Sequence, residues 1–123
     1  MSVIAAEVAQ EMIANWAAAF DVDTPDVPHV LRATQAGRLD LDGEVFAYTL
    51  ASPVKLENGQ TLSSVTVSEP TGAQLRDATR GKPSEMDTTL RTLADITKQP
   101  LGVVERFKMR DLNALGELLS FFS

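Results

Sequence analysis

The sequence predicts an α+β protein, with an N-terminal helix, a small antiparallel sheet made of β-hairpins and a C-terminal bundle of three to four short helices. Three observations carry that reading. Apolar residues recur every four positions through the first twenty residues; the period falls to two between Arg38 and Val67 around two turns ending in glycine; and helical spacing with capping residues resumes after Pro70.

The first element rests on Ile4, Val8, Met12, Trp16 and Phe20, with Ile13 and seven alanines beside them. Alanine carries the highest helix propensity, and the apolar spacing gives the helix one face to bury. Asp21, Asp23, Thr24 and Asp26, with Pro25 and Pro28, interrupt the pattern, so the helix ends near Phe20 and a linker follows. Asp26 is placed to cap a short second helix, with Pro28 in its first turn and Gly37 past its end.

Strand spacing begins at Arg38. Leu39 and Leu41 alternate with charges, Asp42-Gly43 reads as a type I′ turn, and Val45 to Leu50 is rich in β-formers. A second hairpin turns at Asn58-Gly59, between Val54 and Leu56 on one side and Leu62, Val65 and Val67 on the other. Pro53 marks an irregularity or a strand edge.

Past Pro70, Thr71-Gly72-Ala73-Gln74 fits a capping box, in which each side chain satisfies a backbone donor of the first helical turn, and Gly81 ends that helix. Ser84 caps the next, whose Met86, Leu90, Leu93, Ala94 and Thr97 share a face before Pro100. A short helical turn is expected over Leu101 to Phe107. The last helix is expected from about Asp111, with Leu112, Leu115, Leu118, Leu119 and Phe122 on one stripe. We divide the chain into a helical extension, residues 1–37, and a hairpin-plus-helix domain, residues 38–123.

Composition narrows the function. A chain of 123 residues holds one modest core, and 44% hydrophobic with 23% charged residues is ordinary globular usage. With a net charge of −6 it is repelled by phosphate backbones and anionic lipid surfaces, so neither nucleic acid nor a membrane is expected as a partner. No apolar run is long enough to span a bilayer, and Glu7 stands where a signal peptide carries basic residues, so a cytosolic protein is expected. With no cysteine and the single His29, neither a thiolate nucleophile nor a Cys- or His-rich metal site can be built.

Each candidate for chemistry fails on spacing. A calcium loop begun at Asp21 needs glycine sixth and glutamate twelfth, where the chain has Asp26 and Arg32. Asp40 and Asp42 point the same way along a strand and belong to a hairpin tip. His29 has no cysteine to activate and no Gly-x-Ser-x-Gly elbow nearby. Lys82 after Gly81 lacks the rest of a phosphate-binding loop, and Arg76, Arg80 and Arg91 read as a solvated helix face. We therefore expect no enzyme activity, catalytic residue, cofactor or metal. An acidic mimic of nucleic acid is disfavoured because the carboxylates are interspersed with bases and apolar residues.

From Pro53 the order is Pro53-Val54-x-Leu56, the Asn58-Gly59 turn, Leu62-x-x-Val65-x-Val67, then Glu69-Pro70-Thr71 and Leu75 entering a helix. Leu93 to Thr97, Pro100, Val103 to Phe107 and Arg110-Asp111-Leu112 follow, ahead of a closing apolar helix. Over about residues 50 to 123 this order resembles the small tail assembly chaperones of Mu-like and related contractile-tailed phages. It departs from them at Gln74, where an acidic residue is expected, and in its longer N-terminal lead.

The resemblance implies a protein that binds the tape measure protein and keeps it soluble before tail tube subunits polymerise, and that is absent from the finished tail. It also implies the host cytoplasm as the site of action and the tail tube protein as a second possible partner. The alternative is a structural tail or head-completion protein retained in the virion. The partner-binding residues expected are Leu115, Leu118, Leu119 and Phe122, with Trp16 and Phe20 as a second surface. Those stripes either dock on the protein's own core or meet a partner or another copy. Such chaperones often occur also as a frameshifted longer form, and Phe121-Phe122 is compatible with a slippery stretch in the message.

Overall fold

The computed structural model describes residues 4–122, so the first three residues of the expected N-terminal extension and Ser123 lie outside the described residues. The elements run α1 (Ala6–Ala19), α2 (Pro28–Gln35), β1 (Leu39–Asp42), β2 (Val45–Lys55), β3 (Thr61–Val67), α3 (Gly72–Ala78), α4 (Glu85–Thr97), α5 (Leu101–Val104) and α6 (Met109–Leu118), closed by a 3-10 turn at Leu119–Phe122. The architecture is α+β, as the periodicities predict. The sheet is antiparallel with strand order β1-β2-β3.

The helix α1 forms where the alanine-rich stretch predicts it, but the buried face is not the four-residue stripe. Ala9, Ile13, Trp16 and Ala17 are buried, whereas Val8 is exposed and Met12 half-buried. A step of four residues overshoots one turn by about 40°, so a strict period of four winds off the core within a few turns, and mixed steps of three and four hold the face. Asp21, at φ 56, takes a left-handed conformation that an aspartate tolerates, and the chain leaves the helix there.

Proline at the first position starts α2, but its N-cap residue is Val27, which makes no side-chain capping bond, and Asp26 does not cap it. The cap comes from Glu117 of α6 instead. Its Oε1 accepts the backbone N–H groups of both His29 and Val30 at 2.9 Å.

Leu39 pairs with Tyr48 and Asp42 with Val45, leaving Gly43 and Glu44 as the two loop residues of the first hairpin. The turn therefore sits one residue later than Asp42-Gly43. Positive φ falls only on Gly43, at 65°, as a type II′ turn requires and a type I′ turn does not. Between β2 and β3 the pairing jumps from Thr49↔Ser64 to Val54↔Leu62, a bulge that contains Pro53, where sequence marks the irregularity.

Both halves of the Thr71 and Gln74 capping box are formed, and Ser84 accepts the N–H of Asp87 at 3.1 Å to cap α4. The helix α5 is shorter than the expected turn, and α6 starts at Met109, two residues earlier than Asp111. Phe46, Tyr48, Leu50, Val65 and Val67 project from one face of the sheet into a core completed by Ile13, Trp16, Val30, Leu93, Val104, Leu115, Leu118 and Phe121. Residues of α1 and α2 thus share one core with the sheet and the C-terminal helices. The other face of the sheet carries exposed Asp40, Ala47, Thr49, Ser64 and Thr66.

Candidate partner-binding surface

The apolar stripe of α4 is longer than the core it serves. Leu93, Ala94, Ile96 and Thr97 are buried, Leu90 is half-buried and Met86, one turn nearer the N-terminus, is 51% exposed. The start of α6 behaves alike: Leu115 and Leu118 are fully buried, Leu112 is half-buried and Met109 is 53% exposed. Side by side, the two overhanging ends enclose a groove of about 360 Å³ lined by Met86, Thr89, Leu90, Met109, Leu112 and Gly116, with Glu85 and Asn113 at its margin. Methionine is flexible and polarisable and adapts to varied apolar partners, and an apolar concavity between helices receives an amphipathic helix. Of the groove residues, the sequence reading placed Met86, Leu90 and Leu112 on helix stripes. It passed over Met109, whose spacing of three from Leu112 was the available signal.

The six residues expected at partner surfaces lie elsewhere. Leu115, Leu118 and Trp16 are covered by the protein's own core, and Phe20, Leu119 and Phe122 are half-buried against it. The two expected surfaces meet around Phe46. Trp16 stands edge-on to Phe46 with centroids 5.6 Å apart, Phe20 meets Phe122 in a T-shape at 5.1 Å, and Phe121 lies 5.3 Å from Phe46. Edge-to-face pairs of this kind add to what area burial supplies, so the aromatic residues of α1 and of the C-terminal turn hold each other in place. In the folded chain Leu115 and Leu118 present no side-chain surface to a partner.

One polar network fixes α6, and with it the groove, against the sheet. Asp111 is fully buried, yet its Oδ1 accepts the Tyr48 hydroxyl at 2.7 Å and the Ala51 N–H at 2.8 Å, and its Oδ2 accepts the Ser52 N–H at 3.1 Å. Ala51 and Ser52 are two of the four bulge residues, 50–53, left without β3 partners, so the carboxylate satisfies donors that the broken ladder exposes. Arg38 supplies the opposite charge: its Nη1 donates to the Tyr48 hydroxyl at 2.9 Å and stands 3.9 Å from Asp111 Oδ1. Burial, followed by the hydrogen bond to Asp111, pushes the Tyr48 phenol up to about 12. His29, the only histidine, has its Nδ1 2.5 Å from Glu117 Oε2 and serves the joint between α2 and α6.

Among the described residues no group of three or more His, Asp or Glu side chains is placed to hold a metal, and no helix is long and apolar enough to cross a membrane. Fold and groove together define a small α+β protein with an apolar groove between two helix ends. Residues 47–123 match the family model described as phage tail assembly chaperone proteins, E, or 41 or 14. The match spans more than half of the chain, and the protein belongs to the phage tail assembly chaperone family. Neither a curated protein nor a solved structure gives a significant match. The matched segment begins within β2 and takes in β3, the helices α3 to α6, the whole groove and both Tyr48 and Asp111. Ahead of it, α1, α2 and β1 supply Trp16, Val30 and Leu39 to the same core.

Proposed function

We propose that this protein is a tail assembly chaperone that binds the tape measure protein of a contractile-tailed phage or prophage in the host cytoplasm. It keeps that client soluble before tail tube subunits polymerise and is absent from the mature virion. The observation that carries this reading is the family match over residues 47–123. The groove between α4 and α6 supports it, because a long helical client has apolar stripes to cover and the groove offers Met86 and Met109 more than half exposed. The half-buried Phe20, Leu119 and Phe122 border a second, smaller contact area. A net charge of −6 keeps copies of the chaperone apart while they wait for client.

The test is co-expression with the tape measure protein of the same phage, followed by affinity capture. The expected result is a soluble complex that is lost in a folded Met86→Asp, Met109→Asp double variant. No capture, together with the protein in purified particles by mass spectrometry, would replace this reading with that of a structural tail or head-completion component.

A further inference from the structure

The chain carries 17 acidic and 11 basic residues, yet four of its cationic or titratable nitrogen side chains converge on one cleft. His29 and Arg32 of α2, Arg38 just before β1 and Arg110 of α6 line a cavity of about 270 Å³. Arg38 is tied to Tyr48 and to the Thr49 carbonyl, and His29 to Glu117. Arg32 and Arg110 are exposed and form no hydrogen bond or ion pair within the described residues. In an acidic protein the cheapest neutralisation of two such cations is a neighbouring carboxylate of the same chain. The two carboxylates that meet other cleft residues are committed elsewhere: Asp111, 3.9 Å from Arg38, is fully buried and accepts three donors from β2, and Glu117, which meets His29, caps α2. The guanidinium groups of Arg32 and Arg110 are therefore left to solvent at the cleft, where they can receive an anion from outside the chain.

We propose that this cleft is a binding site for a carboxylate-rich segment of a protein partner. Guanidinium groups present forked donors that match carboxylates in two-bond geometry, and Arg32 and Arg110 have all of theirs free for it. The same forks also fit phosphate, so the phosphate competitors in the test separate the two anion classes. The cleft lies at the joint of α2 and α6 and shares no lining residue with the apolar groove, so this site stands whether or not the groove holds a tape measure helix.

The test measures fluorescence anisotropy of a labelled hexaglutamate peptide with the full chain at low salt, beside an oligothymidylate and inorganic phosphate as competitors. The expected result is saturable peptide binding that weakens with salt, is poorly displaced by either phosphate probe, and falls by at least roughly tenfold in Arg32→Ala, Arg110→Ala. Both side chains are exposed and unpaired, and Arg110→Glu alone provides a second, charge-reversed check, with folding verified by circular dichroism. Absence of peptide binding, equal binding by the folded variants, or stronger binding of oligothymidylate or phosphate through the same arginines would each overturn the assignment.

Discussion

The hydroxyl of Tyr48 donates a 2.7 Å hydrogen bond to a carboxylate oxygen of Asp111, joining β2 to α6 across 63 residues of chain. That carboxylate also closes the bulge through Ala51 and Ser52, so one buried side chain sets both the bend of β2 and the seat of α6. Replacing Asp111 by alanine strands three donors, the Tyr48 hydroxyl among them fully buried, and removes the charge facing Arg38. We expect Asp111→Ala to lose about 3 kcal/mol in urea unfolding and Tyr48→Phe about 1 kcal/mol, because the latter removes a single hydrogen bond and leaves the rest of the network. A double variant no worse than Asp111→Ala would show that the two act as one unit.

Tyr48 is the only tyrosine, so phenolate absorbance reports it alone. In the folded protein burial, and then the bond to Asp111, push its pKa up from the ordinary 10.0 to about 12. The unfolded chain therefore releases the phenolic proton first as pH rises, the native state holds more protons, and stability falls with pH. The contribution is fully present below the unfolded pKa and is lost progressively between pH 10 and about 12. We expect wild type to lose about 2–3 kcal/mol more than Tyr48→Phe across that window. An absorbance midpoint that does not move on denaturation would refute it.

Much of this architecture was legible in the sequence, because local chemistry dictates it. The Thr71 and Gln74 capping box, the Ser84 cap, the Asn58-Gly59 turn and the disturbance at Pro53 all depend on residues within a few positions of one another. What depended on distant partners was not legible. Asp111 was read only as the approximate start of the last helix, yet it is buried in the first turn of α6 against a bulge sixty residues upstream. The α2 cap comes from Glu117 rather than Asp26 for the same reason. The apolar stripes were read correctly as hydrophobic, but their spacing does not say where the core ends. Hence Leu115 and Leu118 of α6 are internal, while Met109 of the same helix and Met86 of α4 overhang the core.

Glu117 offers a test of the α2 joint. It supplies the acceptors for two N–H groups in the first turn of a helix that has no local cap, and its negative charge faces the positive end of that helix. Glu117→Ala is expected to cost about 1–2 kcal/mol, with amide exchange accelerated first at His29 and Val30. Glu117→Gln keeps an acceptor oxygen and should recover part of the loss. Unchanged exchange at those two amides in Glu117→Ala would mean that α2 is held by packing alone.

Gly116 separates the requirements of the fold from those of the groove. It lies inside α6, where glycine weakens a helix, and a Cβ built on it would meet only Thr89 Cγ2, at 4.0 Å, an ordinary contact. Gly116→Ala is therefore expected to stabilise the protein by about 0.5–1 kcal/mol, read as a raised urea midpoint with unchanged slope. The position also lines the groove. A methyl group there takes up little of the space, whereas Gly116→Leu would project a branched side chain toward Leu90 and Leu112, into the volume a client side chain needs. Capture of the tape measure protein should accordingly survive Gly116→Ala and fall in Gly116→Leu, even where the leucine variant remains folded. If Gly116→Leu captured client as well as wild type, the groove between α4 and α6 could not be the contact surface, and the half-buried aromatic residues Phe20 and Phe122 would become the next place to look.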